Sequence, residues 1–527
     1  MSRKAVKSIV AISFAILSTP AFAGGYQTNT NQSVAFLRNP SQDAAIGISA
    51  LYNNPANTAF LAPGFHMSVG LMNVHQDRNI TTTYAPFAFG AGNNGATTKT
   101  FEGDADAPIL PSLQFAYNTK NNKWSFSFDF GLVGGGGKCQ YNSGLPSFES
   151  SVAALSMIAT AIGKGEFKNG YKFDTYMRGR SYQFGFQFGA AHKVHDNVSI
   201  YGGLRLVYAT NNYFGYVKNI QLLTKNNEYT TARQWMADQH AYVKKMTDDG
   251  YITPAAANAM HANIDESGYK LSDMTENIGL NCNQAGWGVT PIIGVDWKIN
   301  EHWNLAAKFE FKTRLRLHNE SFNENTEGHG LEKYNNDTNI SEDIPSILTV
   351  GAMYSPIKCL RINGGFHYYW DKQATKYGDE NKLLNGGTWE ITAGAEWDFT
   401  KGWTVSAGWQ TTHYPNTDEY MRDISFTTNS NTFGFGLKWQ INSVVAVEAA
   451  YFQTVYNTYE RTQADYNKLA ATAVKALEAN GAVFPAGMSA PQALVAADVI
   501  PSADLVAGTD KFDRTNRVFG VGVTLDF

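Results

Sequence analysis

The sequence predicts an all-β chain, a 14-stranded antiparallel transmembrane β-barrel with an N-terminal hatch in its lumen and helical segments in its outer loops. Three observations predict it. Apolar residues recur at every second position in segment after segment. The connections between those segments alternate short and long. Beyond the first residues, no stretch approaches the 18 or so apolar residues that a membrane helix needs. Composition agrees: aromatic residues make up 13% and glycine numbers 48, while charged residues reach only 17%, well under the usual quarter.

The chain opens with MSRKAVKSIVAISFAILSTPAFA. Arg3, Lys4 and Lys7 precede an apolar run from Ile9 to Leu17, and Ala21-Phe22-Ala23 follows as a small-residue cleavage site. Residues 1–23 therefore read as a secretory signal peptide. Removing its three cations from the 42 basic residues leaves 39 against 46 acidic ones, which gives no basic footprint for nucleic acid. Cys139, Cys282 and Cys359 are too few and too scattered for a disulfide framework or a metal motif.

Residues 24–63 are rich in Asn, Ala, Gly and Pro and carry no strand pattern. Their spaced apolar residues, Phe36, Leu37, Ile46, Ile48, Leu51 and Phe60 among them, are unnecessary in a solvated tail. We read the segment as a hatch inside the barrel, ending in the bend Asn54-Pro55-Ala56. Pro55 fixes its own φ and restricts Asn54.

Residues 64–527 carry the barrel. KWSFSFDFGLV sets Trp124, Phe126, Phe128, Phe130 and Leu132 on one face, with Ser125, Ser127 and Asp129 on the other. SYQFGFQFGAA repeats the pattern, and so do the segments around Trp287–Trp297, Trp389–Trp397, Trp403–Trp409 and Phe433–Trp439. A period of two gives one apolar and one polar face. Trp and Tyr at the ends of the apolar faces suit an interfacial girdle. Short turns are expected at 118–122, 195–197, 300–302, 355–359, 400–402 and 442–444. Long connections are expected near 77–107, 134–178, 219–284, 319–343, 372–386, 414–429 and 459–513. Backbone groups in lipid must all be paired, so the sheet has to close. The segment RVFGVGVTLDF (517–527) is then the last strand, pairing with the first near 65–76.

GLVGGGGKC (131–139) is not a phosphate loop, since Leu132 stands where the first glycine belongs and Cys139 replaces Ser/Thr. Gly134, Gly135, Gly136 and Gly137 at a strand end instead allow a kink that opens the wall, or simply begin a flexible loop.

The Asn54-Pro55-Ala56 stretch before the first strand, the 14 strands and the terminal Phe527 resemble the FadL family of outer-membrane transporters for long-chain fatty acids and other hydrophobic compounds. The likeness extends over nearly all of the chain past residue 23 and includes WGVTPIIGVDWKINEHWNLAAKFEFK (287–312). The resemblance implies passive uptake across the bacterial outer membrane. Ligand would pass from an apolar groove among the outer loops to a lumen site, then out through a lateral gap made by a kinked strand. It implies as partners hydrophobic ligands such as fatty acids, outer-membrane lipid and the outer-membrane assembly machinery, which would read Phe527. No cofactor, metal or enzyme chemistry is expected.

On that reading Val152, Leu155, Ile158 and Ile162 of SVAALSMIATAIG wall the outer groove or pack against another loop. Trp235 lies on a second amphipathic loop helix. Strand parity points Arg205, Lys308, Glu310, Lys312, Arg361, His367, Glu396, Lys438 and Glu448 into the lumen. Most of these are expected to pair with one another or with the hatch. Arg205, Lys308 and Arg361 are the candidates for a carboxylate head group, because such donors make charge-assisted bonds to it. The rivals are a general porin or surface adhesin, and a barrel lipase. The lipase would need a nucleophile and an orienting group beside His367.

Overall fold

The computed structural model describes residues 26–163, 165–478 and 482–527; the expected signal peptide, residues 1–23, lies outside the described residues, as do Gly24 and Gly25. Among the described residues the wall is one closed sheet of fourteen antiparallel strands. They are β1 (Gly64–Tyr84), β2 (Thr98–Asn118), β3 (Trp124–Tyr141), β4 (Phe167–His195), β5 (Val198–Thr224), β6 (Ile278–Lys298) and β7 (Trp303–Glu310 with Arg316–Ser321). The rest are β8 (Asn339–Ser341 with Ile347–Ile357), β9 (Leu360–Tyr369), β10 (Trp389–Thr400), β11 (Trp403–His413), β12 (Ser430–Gln440), β13 (Val445–Tyr456 with Tyr459–Gln463) and β14 (Gly508–Asp526). A two-residue ladder, Tyr229–Thr230, adds to the end of β5. Closure runs through β1 and β14, in register from His66↔Asp526 to Tyr84↔Gly508. Phe65 and Phe527 exchange both backbone hydrogen bonds, at 3.2 and 2.8 Å. The expected period of two therefore continues to Phe527 because that residue still belongs to the seam.

Alternation sets the faces as expected. Phe126, Trp287, Ile293 and Val295 are exposed outward, while Ser125, Gln187 and Asp296 are buried inward. The short turns fall within a few residues of their expected places. Of the long connections, 414–429 falls where expected and 372–386 within a few residues, but others are shorter: β1 runs to Tyr84, β3 to Tyr141, and β4 begins at Phe167. Beyond the apolar band these strands continue with their faces inverted. On β1, Phe65, Met67, Val69 and Leu71 point outward, but above them Asn73, His75 and Asp77 do so while Val74 and Ile80 are buried inside. The strand outgrows the bilayer, so water replaces lipid outside and apolar packing replaces water within. Leu132 keeps the expected outward parity, paired with Phe184, but is buried in a cluster with Val34 and Leu110; Lys312 sits at the break in β7, 3.4 Å from Asp343.

Among the described residues six α-helices accompany the wall: α1 (Val34–Arg38), α2 (Pro146–Ile162), α3 (Ala232–Asp248), α4 (Pro254–Met274), α5 (Leu469–Glu478) and α6 (Ala490–Ala496). The Ser33 hydroxyl caps α1 by accepting from Phe36 N. Thr231 and Thr253 cap α3 and α4 in the same way, satisfying amide donors that a helix start leaves open. An apolar cluster fills the outer half of the barrel interior, joining Ile80, Phe101 and Phe512 of the wall to Val152 and Leu155 of α2.

Candidate functional site

Residues 26–61 pack against the inward faces of the wall. Their fit explains much of the glycine content. A Cβ at Gly365 would lie 1.8 Å from the Asp43 carboxylate, one at Gly394 1.9 Å from the Asn39 side chain, and one at Gly434 2.4 Å from the Leu37 carbonyl. Only glycine lets the wall approach this segment so closely. Buried Arg38 donates to Glu448 at 2.9 Å and lies 3.3 Å from Glu396. Asn54 donates to Asp296 and starts the 3₁₀ turn Pro55–Phe60. Ala56 accepts from Ser199 at 2.6 Å. Asn54, Pro55 and Ala56 are thus held against β5 and β6 at a non-helical bend (Asn54 φ −134°, ψ 77°) before the chain enters β1.

The candidate carboxylate-binding cations have carboxylates of their own. Arg205 and Lys308 share Glu310, with Lys308 at 2.6 Å. Lys308 also donates to the Tyr52 carbonyl at 2.7 Å, and both cations lie over the Tyr52 ring, at 4.6 and 4.5 Å from its centroid. Gln187 accepts from Arg205 at 2.7 Å. Arg361 is chelated by Asp398, two contacts of 2.8 Å, and touches Glu396 at 3.3 Å. It lines a cavity of about 630 Å³ with Asp398, Thr404 and Lys438 where the strands meet the short turns. A ligand carboxylate at any of these cations would compete with a buried or chelating partner. His367 is held from both sides, by Asp43 at 2.9 Å and Glu390 at 2.7 Å. Both ring nitrogens face carboxylates, which leaves neither to activate a nucleophile.

The loop residues are also engaged. Val152 and Leu155 are buried in the outer apolar cluster, with Ile158 packed against it; the Ile162 side chain lies outside the described residues. Trp235 is buried against Phe167, its ring 5.2 Å away, beside Leu222 and Leu271.

The wall is interrupted between β2 and β3. Their pairing runs from Asn118↔Ser125 to Leu113↔Phe130, stops, and resumes only at Asp106↔Lys138. Residues 107–112 of β2 and 131–137 of β3 have no partners across this gap. On the other side, β3 keeps β4 only through bulges between Leu132 and Gly137. Gly135 and Gly137 have φ of 90° and 73°, a region side chains disfavour, so the four glycines provide the kink. Pro108 and Pro111 face them from β2. Neither has an N–H to give to a neighbouring strand. The sequence reading missed these prolines, although APILP inside an alternating segment is itself a sign of a broken ladder. The carbonyls that the kink releases are taken up from inside: Val133 O accepts from Asn29 N at 2.8 Å, and Leu132 O from the Gln32 side chain at 2.7 Å. An apolar cluster crosses the gap, joining Val34 and Leu37 inside to Leu110 and Leu132 at its edges and to Tyr182 and Phe184 on the outward face of β4. A second interruption, between β6 and β7 beside Pro291, is closed by backbone: Gly286 and Gly288 lie directly against Arg316 and Thr313.

The architecture has solved counterparts. A Pseudomonas aeruginosa FadL homologue matches with TM-score 0.57 and 13% identity, covering 96% of this chain and 100% of its own. The P. putida toluene transporter TodX matches with TM-score 0.50 and 11% identity, over 91% of this chain and 94% of its own. A TodX deltaS2S3 mutant, described as a monoaromatic hydrocarbon channel, gives 0.53 and 11%, over 94% and 99%. At these identities the likeness is one of fold: a closed 14-stranded barrel of the FadL type. No protein-family model and no curated protein matches the chain.

Proposed function

We propose that this chain, a barrel of the FadL type, is a bacterial outer-membrane channel for passive uptake of hydrophobic small molecules. On this reading ligand leaves the lumen sideways into the lipid. The observation that carries it is the gap between β2 and β3. An unpaired stretch of wall is costly in lipid unless protein covers it, and here the cover is apolar side chains reaching from the hatch to the outward face of β4. An aqueous general pore has no use for such a seam. In this reading Gly134–Gly137 form the lateral gate. Residues 26–32, which hold the kink's carbonyls, are the part of the hatch that must shift, while Asn54-Pro55-Ala56 stays anchored. Long-chain fatty acids are the substrate class implied by the family resemblance; monoaromatic hydrocarbons, the cargo described for TodX, are the second reading. The filled interior and the doubly held His367 favour a channel over a barrel lipase.

The test is a reversible staple. In a chain lacking Cys139, Cys282 and Cys359, cysteines at Leu110 and Leu132 are joined by a short cleavable crosslinker, and uptake of labelled hexadecanoate and toluene into proteoliposomes is followed. Both fluxes should fall when the staple forms and return when it is cleaved. Undiminished flux through the stapled barrel would exclude the lateral route.

A further inference from the structure

The outer connection between β5 and β6 folds into a helical hairpin of α3 and α4, joined by residues 249–253. Side-chain contacts set the two helices antiparallel. Arg233 reaches Ser272 at 3.4 Å, and a Cβ at Gly268 would meet the Met236 sulfur at 2.6 Å. Further out, His240 meets His261 and Asp265. Trp235 and Leu271 tie the base of the hairpin to Phe167 and Leu222 of the wall. The two histidines lie in its outer half, and the channel reading makes no use of them. They stand 21 residues apart in the chain, so no short motif announces the pair.

The two imidazoles meet head-on. Their Nδ1 atoms are 2.6 Å apart, the ring centroids are 4.8 Å apart, and the ring planes are inclined by 28°. Each nitrogen therefore aims its in-plane bonding direction at the other, and one proton fits between them. His240 Nε2 lies 2.9 Å from the Asp265 carboxylate. A carboxylate accepts, so that nitrogen carries a hydrogen. In neutral His240 the Nδ1 lone pair is then open, and His261 Nδ1 donates to it. Asp265 follows His261 by four residues on α4, so both lie on the face that meets α3. A metal-ligating His typically donates its second N–H to a carboxylate, which fixes its tautomer and raises its basicity. His240 has that arrangement already. Both histidines are half-buried, and the Asp265 side chain is 44% exposed, so a dissolved ion reaches them.

We propose that His240 and His261 form a two-nitrogen site for a borderline divalent cation such as Zn²⁺, bridging α3 to α4, with Asp265 orienting His240 and water completing the coordination shell. Imidazole suits Zn²⁺, Ni²⁺ and Cu²⁺, whereas Mg²⁺ and Ca²⁺ prefer oxygen. Among the described residues no three His, Cys, Asp or Glu side chains form a metal cluster. The site is accordingly open, and weaker than a closed structural site with four protein ligands. Metal–nitrogen bonds of about 2.0–2.1 Å at a near-tetrahedral angle need the nitrogens about 3.3 Å apart. The rings must open by about 0.7 Å from their present 2.6 Å. The cation takes the place of the shared proton, which His261 keeps on Nε2 instead of Nδ1. The metal then holds the outer half of the hairpin closed.

The experiment is calorimetric titration of ZnCl₂ into the untagged full-length barrel in mild detergent at neutral pH, with MgCl₂ as counterpart. It compares the native chain, H240A, H261A and D265N, and heat-modifiable gel mobility reports the assembly of each. Native barrel should bind Zn²⁺ and give no response to Mg²⁺. H240A and H261A should weaken Zn²⁺ binding by tenfold or more, and D265N by about tenfold. Zn²⁺ should also slow trypsin cleavage after Lys244 and Lys245 in the native chain and not in H261A. If H261A does not assemble, H261Q replaces it. Zn²⁺ affinity unchanged in the assembled His261 variant, or matched by Mg²⁺ in the native chain, overturns the site. Either result leaves the channel reading untouched, since the staple tests that separately.

Discussion

Glu310 carries the largest single burden in the lumen. It holds two buried cations, and Arg205, Lys308 and Tyr52 are all arranged about it. Removing one member of a buried ion cluster leaves charge uncompensated, at a cost of about 3–5 kcal/mol. E310A should therefore lower the urea midpoint of the folded barrel far more than the double change E310L/R205M, measured by loss of heat-modifiable mobility. Glu342 lies beyond the apolar band and also holds two buried cations. Burial alone would raise its carboxyl, but Lys333 and Lys376 outweigh burial and hold it down to about 2. A depressed carboxylate stabilises the fold fully above its ordinary value of 4.5 and loses that contribution as pH falls toward 2. Native barrel should lose outer-loop protection from protease between about pH 4.5 and 2, and E342Q should flatten that dependence. The sequence signalled through strand parity that Arg205, Lys308 and Glu310 face inward, while it placed Glu342, Lys333 and Lys376 in outer connections. Their partners were not legible, because Arg205 and Glu310 lie on different strands, 105 residues apart. A local pattern says which way a residue points and nothing about what it meets.

Within an element, parity decides what a substitution does. Ile293 faces lipid on β6, and Thr404 faces the cavity beside Asp398. I293K should cost about 2–4 kcal/mol of barrel stability. T404K gives up the bond from Thr404 to Asp398 and should cost about 0.5–1.5 kcal/mol, less than I293K. Urea titration of assembled barrel in vesicles measures both, and equal losses would refute the facing assignment. Inward position alone does not make a site tolerant: Gln187, though it points to the lumen, already serves Arg205, and a lysine there would add a cation beside it. The hatch can be tested at its anchor. N54A removes the bond to Asp296 and should speed protease cleavage within residues 26–61. The elements also show where sequence reading stopped. The apolar-out half of each strand was legible because its alternation is local and strong. The upper half of β1 keeps the same period, yet Asn73, His75 and Asp77 now point outward, so an outward-apolar template reads it as loop. Likewise, four glycines marked β3, while the prolines of β2 went unweighed because a single broken ladder needs two strands to be seen together.

Across the whole molecule the barrel is two stacked regimes. The lower half has lipid outside and a polar, ion-paired interior around the hatch; the upper half has water outside and an apolar interior closed by α2. The boundary between them is not level. On β6 the outward apolar run extends from Trp287 to Trp297, about 33 Å along the strand at 3.3 Å per residue. On β1 it extends only from Phe65 to Leu71 before Asn73 and His75 intervene, about 20 Å by the same measure. The low side is the side that carries the β2–β3 gap. A bilayer meeting a collar of unequal height must thin where the collar is short. The membrane around this protein is then dimpled beside the exit, with acyl chains splayed and headgroups drawn down toward it. On the proposed lateral route, a molecule emerging there would enter lipid that is already disordered. Release should accordingly quicken in vesicles of thin, short-chain lipid and slow in thick ones, while binding by detergent-solubilised barrel, which has no leaflet to bend, stays the same.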